Sequence, residues 1–277
     1  MILVTGATGN IGSALVKELR TWDAGPVGAL TRHAAAAGLP AGVEAVEGDL
    51  TRPDSFKAAL EGTRSLFLPS RVGPDAHILR AAARAGVEHV VLVSSITVQS
   101  HPHLGPAGEN LAVERLLRDS GMAWTILRPT QFASNALWWA DAVRGRRPVR
   151  LAYADVGLPT VHPADIASVA RAALTGTGHR GQTYALTGPE RITPRRQLAA
   201  LARVVGRDVP LTEIGREEAH HDLAAFMGDE AAAAILDITG GDLNEELLAV
   251  RDTVTRVTGA PARTFGRWAV ENAGSFR

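Results

Sequence analysis

Thr5-Gly6-Ala7-Thr8-Gly9-Asn10-Ile11-Gly12 decides the fold of this 277-residue chain. The stretch follows the apolar run Ile2-Leu3-Val4 and opens a helical pattern over Ile11–Arg20. Strand, glycine turn and helix, in that order, form the fingerprint of a dinucleotide-binding βαβ unit. Gly6 permits the tight turn, Gly9 lets backbone approach a pyrophosphate, and Gly12 lets helix and strand pack closely. The helix start offers unpaired N–H groups and the positive end of its dipole to phosphates. Thr8, Asn10 and Ile11 belong to the same cradle. A glycine-rich turn without a ligand is the competing reading, and the flanking strand and helix weigh against it.

Outward from this unit, β-rich runs alternate with helical patterns. Strands are predicted at Ile2–Thr5, Val27–Thr31, Val43–Glu47, Ser65–Leu68, His89–Ser94 and Trp124–Leu127. Helices are predicted between them at Ile11–Arg20, Pro53–Leu60, Asp75–Ala85 and Ala107–Asp119. The strands are apolar without polar alternation, as strands buried on both faces are. The expectation is an α/β fold, a Rossmann-type doubly wound parallel sheet. After residue 130 the pattern changes. Helices are predicted at Gln131–Val143, Pro163–Leu174, Pro194–Val205 and Thr264–Ala273, a strand at Gln182–Leu186, and a mostly helical stretch over 215–257 broken at Gly240-Gly241. Residues 1–130 therefore read as the nucleotide-binding domain. Residues 131–277 read as a smaller, mostly helical substrate-binding part, with segments around 148–186 returning to the sheet.

Composition excludes much. The chain has no cysteine, two lysines (Lys17 and Lys57) and two tyrosines (Tyr153 and Tyr184). Disulfides, thiolate nucleophiles and cysteine-ligated metal sites are ruled out. No cluster with metal-ligand spacing stands out, so no metal is expected. Lys+Arg and Asp+Glu balance at 29 each, which argues against nucleic acid as a partner. No apolar run reaches the roughly 20 residues of a membrane span, and no signal-type segment opens the chain. The expected setting is the cytoplasm, the expected partner a small molecule, and a homodimer the candidate assembly.

The end of the second predicted strand bears on cofactor choice. An acid there would hold a ribose 2′-hydroxyl, but the sequence is Leu30-Thr31-Arg32-His33. The guanidinium of Arg32 suits a 2′-phosphate, so NADP(H) is preferred over NAD(H). A solvated surface arginine is the competing reading.

The Gly-x-x-Gly-x-x-Gly spacing after Thr5 resembles the short-chain dehydrogenase/reductase superfamily in its extended and atypical branches, whose members bind NAD(P). The resemblance implies that Asp49 contacts the adenine amino group with Leu50 beside it. It also implies that the backbone at Leu68-Pro69 runs beside the riboses, and that Ser94-Ser95 matches the serine-bearing end of the fifth strand. Most of these enzymes use a Tyr-x-x-x-Lys pair as proton donor and its activator. Four residues beyond Tyr153 and Tyr184 stand Gly157 and Gly188, so this chain lacks the pair.

That absence, Glu114 to Gly121, Trp124 to Pro129, Phe132 and Asn135, Gly181 to Gly188 and Gly259 to Phe265 resemble the NmrA-like atypical reductases, over nearly the whole chain. That group contains quinone oxidoreductases and NADP-binding regulators without chemistry. One departure is Asn110, where members often carry a histidine. The first functional reading is NADPH-dependent reduction of a flat quinone- or enone-type molecule, placed in secondary metabolism. Such acceptors are electrophilic enough to do without a strong general acid. The second reading is an NADP(H)-sensing regulator, and the third a coupling or isomerising enzyme of the same fold. Candidate catalytic groups are Ser95, His101 and Asn135, with His103 beside them. Phe132, Asn135 and Trp138 are the candidate substrate contacts. Glu114 reads as an exposed charge or an orienting partner. One of Trp138 and Trp139 is expected in the core and the other against the substrate.

Overall fold

The computed structural model describes residues 1–34 and 38–277, with only the backbone at Pro53 and Asp54. β1 (Ile2–Val4) enters the glycine turn and α1 (Asn10–Thr21) leaves it. β2 (Val27–Thr31) and β3 (Glu44–Glu47) follow. Next come α2 (Pro53–Lys57), continued by a 3-10 turn to Leu60, then β4 (Ser65–Pro69), α3 (Asp75–Arg84) and β5 (His89–Val93). The single turn α4 (Thr97–Ser100), α5 (Gly105–Arg118) and β6 (Ala123–Pro129) complete the first half.

A 3-10 helix over Ala133–Trp139 runs into α6 (Ala140–Arg144), and β7 (Val149–Leu151) follows. α7 (Pro163–Thr175), β8 (Gln182–Leu186), α8 (Pro194–Val205) and β9 (Leu211–Glu213) come next. α9 (Arg216–Met227) and α10 (Asp229–Leu236) meet at Gly228, and a π-turn spans Asp237–Gly241. α11 (Glu245–Leu248), α12 (Thr253–Thr258) and α13 (Phe265–Glu271) close the chain with a last 3-10 turn over Ala273–Phe276.

Among the described residues, seven strands form one parallel sheet in the order β3-β2-β1-β4-β5-β6-β8. The chain reverses direction of progress between β1 and β4, and in open α/β sheets ligands bind at that switch, outside the carboxyl ends of the strands. Successive strand residues feed opposite layers. Val4, Val91 and Val93 pack with Leu15, Leu19 and Ile166 of α1 and α7. Leu3, Val90 and Leu92 pack with Phe56, Leu60, Ile78 and Leu117 on the other face. Burial on both faces is why β1 and β5 carry no polar alternation, whereas the edge strand β3 is largely exposed and carries Glu44 and Glu47. A third cluster joins Leu198 and Leu201 of α8 to Phe265 and Trp268 of α13 and to Phe276.

The helix predicted over Gln131–Val143 is not continuous. Phe132 makes a parallel bridge to Val161: Ala133 N–H donates to Val161 O at 2.8 Å and Val161 N–H to Gln131 O at 2.8 Å. The extended backbone this requires delays the helix to Ala133. The stretch 148–186 divides: α7 packs against α1, β8 joins the sheet beside β6, and β7 pairs instead with β9 in a separate parallel ribbon. Helix ends follow local chemistry. Thr193 Oγ1 accepts from Arg196 N–H at 3.1 Å to cap α8, Pro194 occupies its first turn, and Gly206 ends it at φ 72°.

His89 opens β5 in a buried position, 3% exposed. Thr125 Oγ1 donates to His179 O at 2.7 Å, so His89 Nε2, 3.0 Å away, is the donor to Thr125. Burial, with Arg180 and His179 adding like charge, pushes the imidazole down to about 4. The unfolded chain therefore takes up a proton that the folded chain refuses. Stability is full above the ordinary histidine value and is lost as pH falls from there toward 4. His89 should account for about 2 kcal/mol lost between pH 7 and pH 5. Urea titrations at both pH values should show a shallower loss in His89→Gln by that amount. Equal slopes in the two proteins would refute the assignment.

Candidate active site

All seven strands run the same way, so the glycine loop and the ends of β2, β4, β5 and β6 share one edge of the sheet. Thr5 anchors the loop: its N–H and Oγ1 both donate to Phe67 O, at 3.1 and 2.8 Å. Gly6 adopts φ 60°, a left-handed conformation that favours glycine. Gly9 N–H donates back to Gly6 O at 2.9 Å. A Cβ on Gly12 would lie 2.1 Å from that same oxygen, so backbone from the two ends of the loop meets there. No side chain caps the N-terminus of α1, which leaves its first N–H groups for a phosphate. The loop thus fits a pyrophosphate in space, conformation and donors. Thr8, Gly9 and Asn10 are exposed on it, and Ile11 is half-buried against the α1 and α7 layer.

Neighbouring strand ends complete the edge. Pro69 lies beside Gly6, 3.5 Å from where a Cβ would stand, and Leu68 is fully buried behind it. Gly48 N–H donates to Thr31 O at 3.0 Å, joining the tips of β2 and β3. Thr31 is half-buried, Arg32 exposed and Leu50 buried. The Asp49 carboxylate accepts from Thr51 N–H at 2.9 Å and Thr51 Oγ1 at 2.7 Å. Those bonds, with Arg52 and Arg32 nearby, hold it below the usual carboxylate range. Asp49 thus shapes its own turn within the field of Arg32.

The carboxyl end of β5 rests on a buried charge. Glu114, at 0% exposure, is not a surface group. It accepts from Ser94 Oγ at 2.7 Å and from Arg128 Nε and Nη2 at 2.9 and 2.6 Å, with Arg118 Nη2 at 3.2 Å. The remaining arm of Arg128 donates to Gln99 Oε1 at 3.1 Å. Asn110 replaces the expected histidine one turn before Glu114 on α5. It accepts from Ser70 Oγ at 2.6 Å and donates to Pro106 O at 3.0 Å.

A cavity of about 280 Å³ opens beyond the end of β6. Phe132, Trp138, Trp139 and Tyr153 give it aromatic walls, and Asn135 and Gln131 line it. Trp138 is 51% exposed and Trp139 half-buried against the third core cluster, so both tryptophans border this space. Asn135 Nδ2 donates to Gln131 Oε1 at 2.8 Å. β6 lies three strand spacings from β1, about 14 Å, within the reach of an extended dinucleotide laid along the edge.

The three catalytic candidates are not gathered in this cavity. Asn135 is in it. Ser95 borders a smaller cavity of about 230 Å³ with Thr97 and Asn110, and its Oγ accepts from Thr97 Oγ1 at 2.8 Å. Ile235 of α10 lines both spaces. His101 does not open on the cleft. It is 0% exposed, with Nδ1 2.8 Å from Ser100 Oγ and Nε2 2.7 Å from Asp242 O. The segment after α10 folds back over it, a long-range contact that local sequence does not announce. Tyr153, Gln197 and the α9–α10 residues likewise reach the cavity through long-range packing that local sequence does not announce. No group of three or more His, Asp or Glu side chains suited to a metal ion occurs among the described residues. No helix among them is long and apolar enough to cross a membrane.

A glycine loop at the switch point of a parallel sheet, without a Tyr-x-x-x-Lys pair, defines an atypical dinucleotide-binding reductase fold. The chain belongs to the NAD(P)H-binding family, whose model matches residues 6–176. It is 39% identical over 286 residues to a (4-alkanoyl-5-oxo-2,5-dihydrofuran-3-yl)methyl phosphate reductase of Streptomyces griseus, covering 100% of this chain and 99% of the relative. It is 36% identical over 287 residues to an NAD(P)H azoreductase of Xenophilus azovorans, covering 100% and 99%. It also superposes on an NADPH-dependent quinone oxidoreductase of Escherichia coli complexed with NADPH. The TM-score is 0.81 at 26% identity, over 98% of this chain and 99% of that one.

Proposed function

We propose that the protein is an NADPH-dependent reductase of flat, conjugated small molecules of the quinone or enone kind. The observation that carries this reading is the aromatic-walled cavity on the sheet edge that also bears the glycine loop. The acceptors named for its relatives, an unsaturated lactone phosphate, azo compounds and quinones, share a conjugated electrophile.

Residues 6–12 would hold the pyrophosphate, Arg32 the 2′-phosphate, and Thr31, Asp49 and Leu50 the adenosine end. Leu68, Pro69 and Ser94 would border the remainder. When bound, the reduced cofactor supplies a hydride. The protein contributes position: Phe132 and Trp138 stack against a planar acceptor and exclude water, and Asn135 offers a hydrogen bond to its oxygen.

The test is NADPH oxidation followed at 340 nm with a naphthoquinone, an α,β-unsaturated lactone and an azo dye. Turnover with at least one is expected; confirmed NADPH binding with no turnover of any would overturn the reading. Arg32→Ala should raise the KM for NADPH about tenfold, one charge-assisted contact, and leave the KM for NADH unchanged. Equal effects on both cofactors would remove Arg32 from the 2′-phosphate site.

A further inference from the structure

The geometry points to Tyr153 as the proton donor of the cavity, a phenol set by Arg216 and Gly240 in place of the missing Tyr-x-x-x-Lys pair. This rests on reading the cavity as the acceptor site. Three hydroxyl groups line that space: Thr160, Thr239 and Tyr153. Thr160 Oγ1 donates to Leu158 O at 3.4 Å and Thr239 Oγ1 to Ile235 O at 2.7 Å. Tyr153 differs. Its phenol oxygen accepts from Arg216 Nη1 at 3.2 Å, and its own proton has no acceptor among the described residues. The charged groups of the lining are committed elsewhere: Arg150 binds Glu218 at 2.6 Å and Asp222 at 3.2 Å. Tyr153 is thus the lining hydroxyl whose proton is free to be given to a ligand.

The side chain is also held in place. Tyr153 adopts φ 59°, a left-handed conformation rare for a bulky residue and a mark of functional sites where it persists. Its neighbours fix that turn. Ala154 N–H donates to Glu213 Oε1 at 3.1 Å, and Arg195 pairs with Asp155 through two bonds of 2.8 Å. The ring lies flat on Gly240, where an added Cβ would stand 2.2 Å from Tyr153 Cγ. Arg216 is itself oriented by Asp237 Oδ1 at 2.6 Å. Asp237 and Gly240 belong to the π-turn after α10, so one turn positions both the phenol and its cation.

The step balances as follows. A hydride from NADPH adds to the electrophilic carbon of the acceptor, giving NADP+. The displaced electron pair moves onto the conjugated oxygen, which takes the Tyr153 proton as its new O–H bond forms. The phenolate, held by Arg216, regains a proton from water.

Tyr153→Phe keeps the ring and the backbone and removes the proton. Its kcat with an unsaturated lactone should fall about 100-fold, within the range of a lost general acid, while the KM for NADPH is unchanged. Gly240→Ala, which displaces the ring, should lower kcat in the same direction. A second readout needs no turnover: coumarin, a planar conjugated lactone, should quench the fluorescence of Trp138 and Trp139, with a Kd about tenfold weaker in Tyr153→Phe. Unchanged kcat in Tyr153→Phe overturns the assignment while leaving the reductase reading intact. If the wild type turns over no acceptor, the coumarin arm decides: a weakened Kd in the variant supports the donor, and an unchanged Kd or no binding by the wild type overturns it.

Discussion

Gly12→Ala is expected to abolish NADPH binding, weakening it at least about 100-fold, while the chain still folds. The new Cβ would stand 2.1 Å from Gly6 O, 2.7 Å from Gly6 C and 2.9 Å from Ala7 Cα. Every one of these is backbone, so no side chain can swing away to make room. Either α1 must slide back from β1 or the loop must move outward. Leu15, Val16 and Leu19 pin α1 in the core, so the loop gives way. Gly6 O also accepts the Gly9 N–H, and its displacement would disorganise the donors proposed for the pyrophosphate. Overpacking of this kind costs about 1–3 kcal/mol of stability, which a domain of this size tolerates. Gly9→Ala provides the contrast. Its Cβ would be 3.2 Å from Gly6 O, a contact that a small shift relieves, so stability should hardly change while the methyl intrudes on the phosphate. Calorimetric titration of NADPH, with thermal melts of both variants, separates the two effects. NADPH binding by Gly12→Ala within threefold of the wild type would show that the loop does not hold the cofactor as described.

The fold was legible where local pattern and tertiary role coincide. Ile2-Leu3-Val4 reads as a strand because its three residues are all apolar, and they are so because alternate residues feed different helical layers. Thr193, Pro194 and Gly206 bound α8 by their own local chemistry, a hydroxyl cap, a fixed φ and a left-handed glycine, without help from the rest of the chain. Legibility failed where a distant partner decides. Phe132 is extended because Val161 pairs with it. β7 and β9 are three residues each, too short to carry a period, and they exist through each other. Within the candidate site, Phe132, Asn135 and Trp138 cluster at one cavity, whereas His101 is walled off by Asp242, 141 positions further on. Tyr153 lies in an unremarkable loop, and its phenol gains a setting only from distant residues, Arg216 of α9 and the π-turn at Gly240. Glu114 carried a half-signal: the Leu-Arg-Pro run supplies Arg128, but nothing in either segment alone announces that the two meet inside the protein.

That meeting sets the other large effect. Glu114→Ala is expected to destabilise the protein by about 3–5 kcal/mol, because it leaves the Arg128 guanidinium buried without its counter-charge. For a chain of this size the melting temperature should fall by about 10 °C. Arg128 is 14% exposed at its side chain, and its remaining arm is committed to Gln99. Glu114→Gln should cost less: one oxygen still accepts, but the amide N–H₂ faces arginine donors. The decisive comparison is the double variant Glu114→Leu with Arg128→Met. Apolar replacement of both halves of a buried pair is often close to neutral, so the double variant should recover most of the stability that Glu114→Ala loses. Ser94 makes the consequence functional as well as structural. Its Oγ is held by Glu114 at the carboxyl end of β5, so the double variant should regain stability yet bind NADPH more weakly than the wild type. Urea unfolding with a double-mutant cycle measures the first part and NADPH titration the second. A single-variant loss below about 1 kcal/mol would mean that the pair behaves like a solvated one, and the buried network would then not be what holds this edge of the sheet.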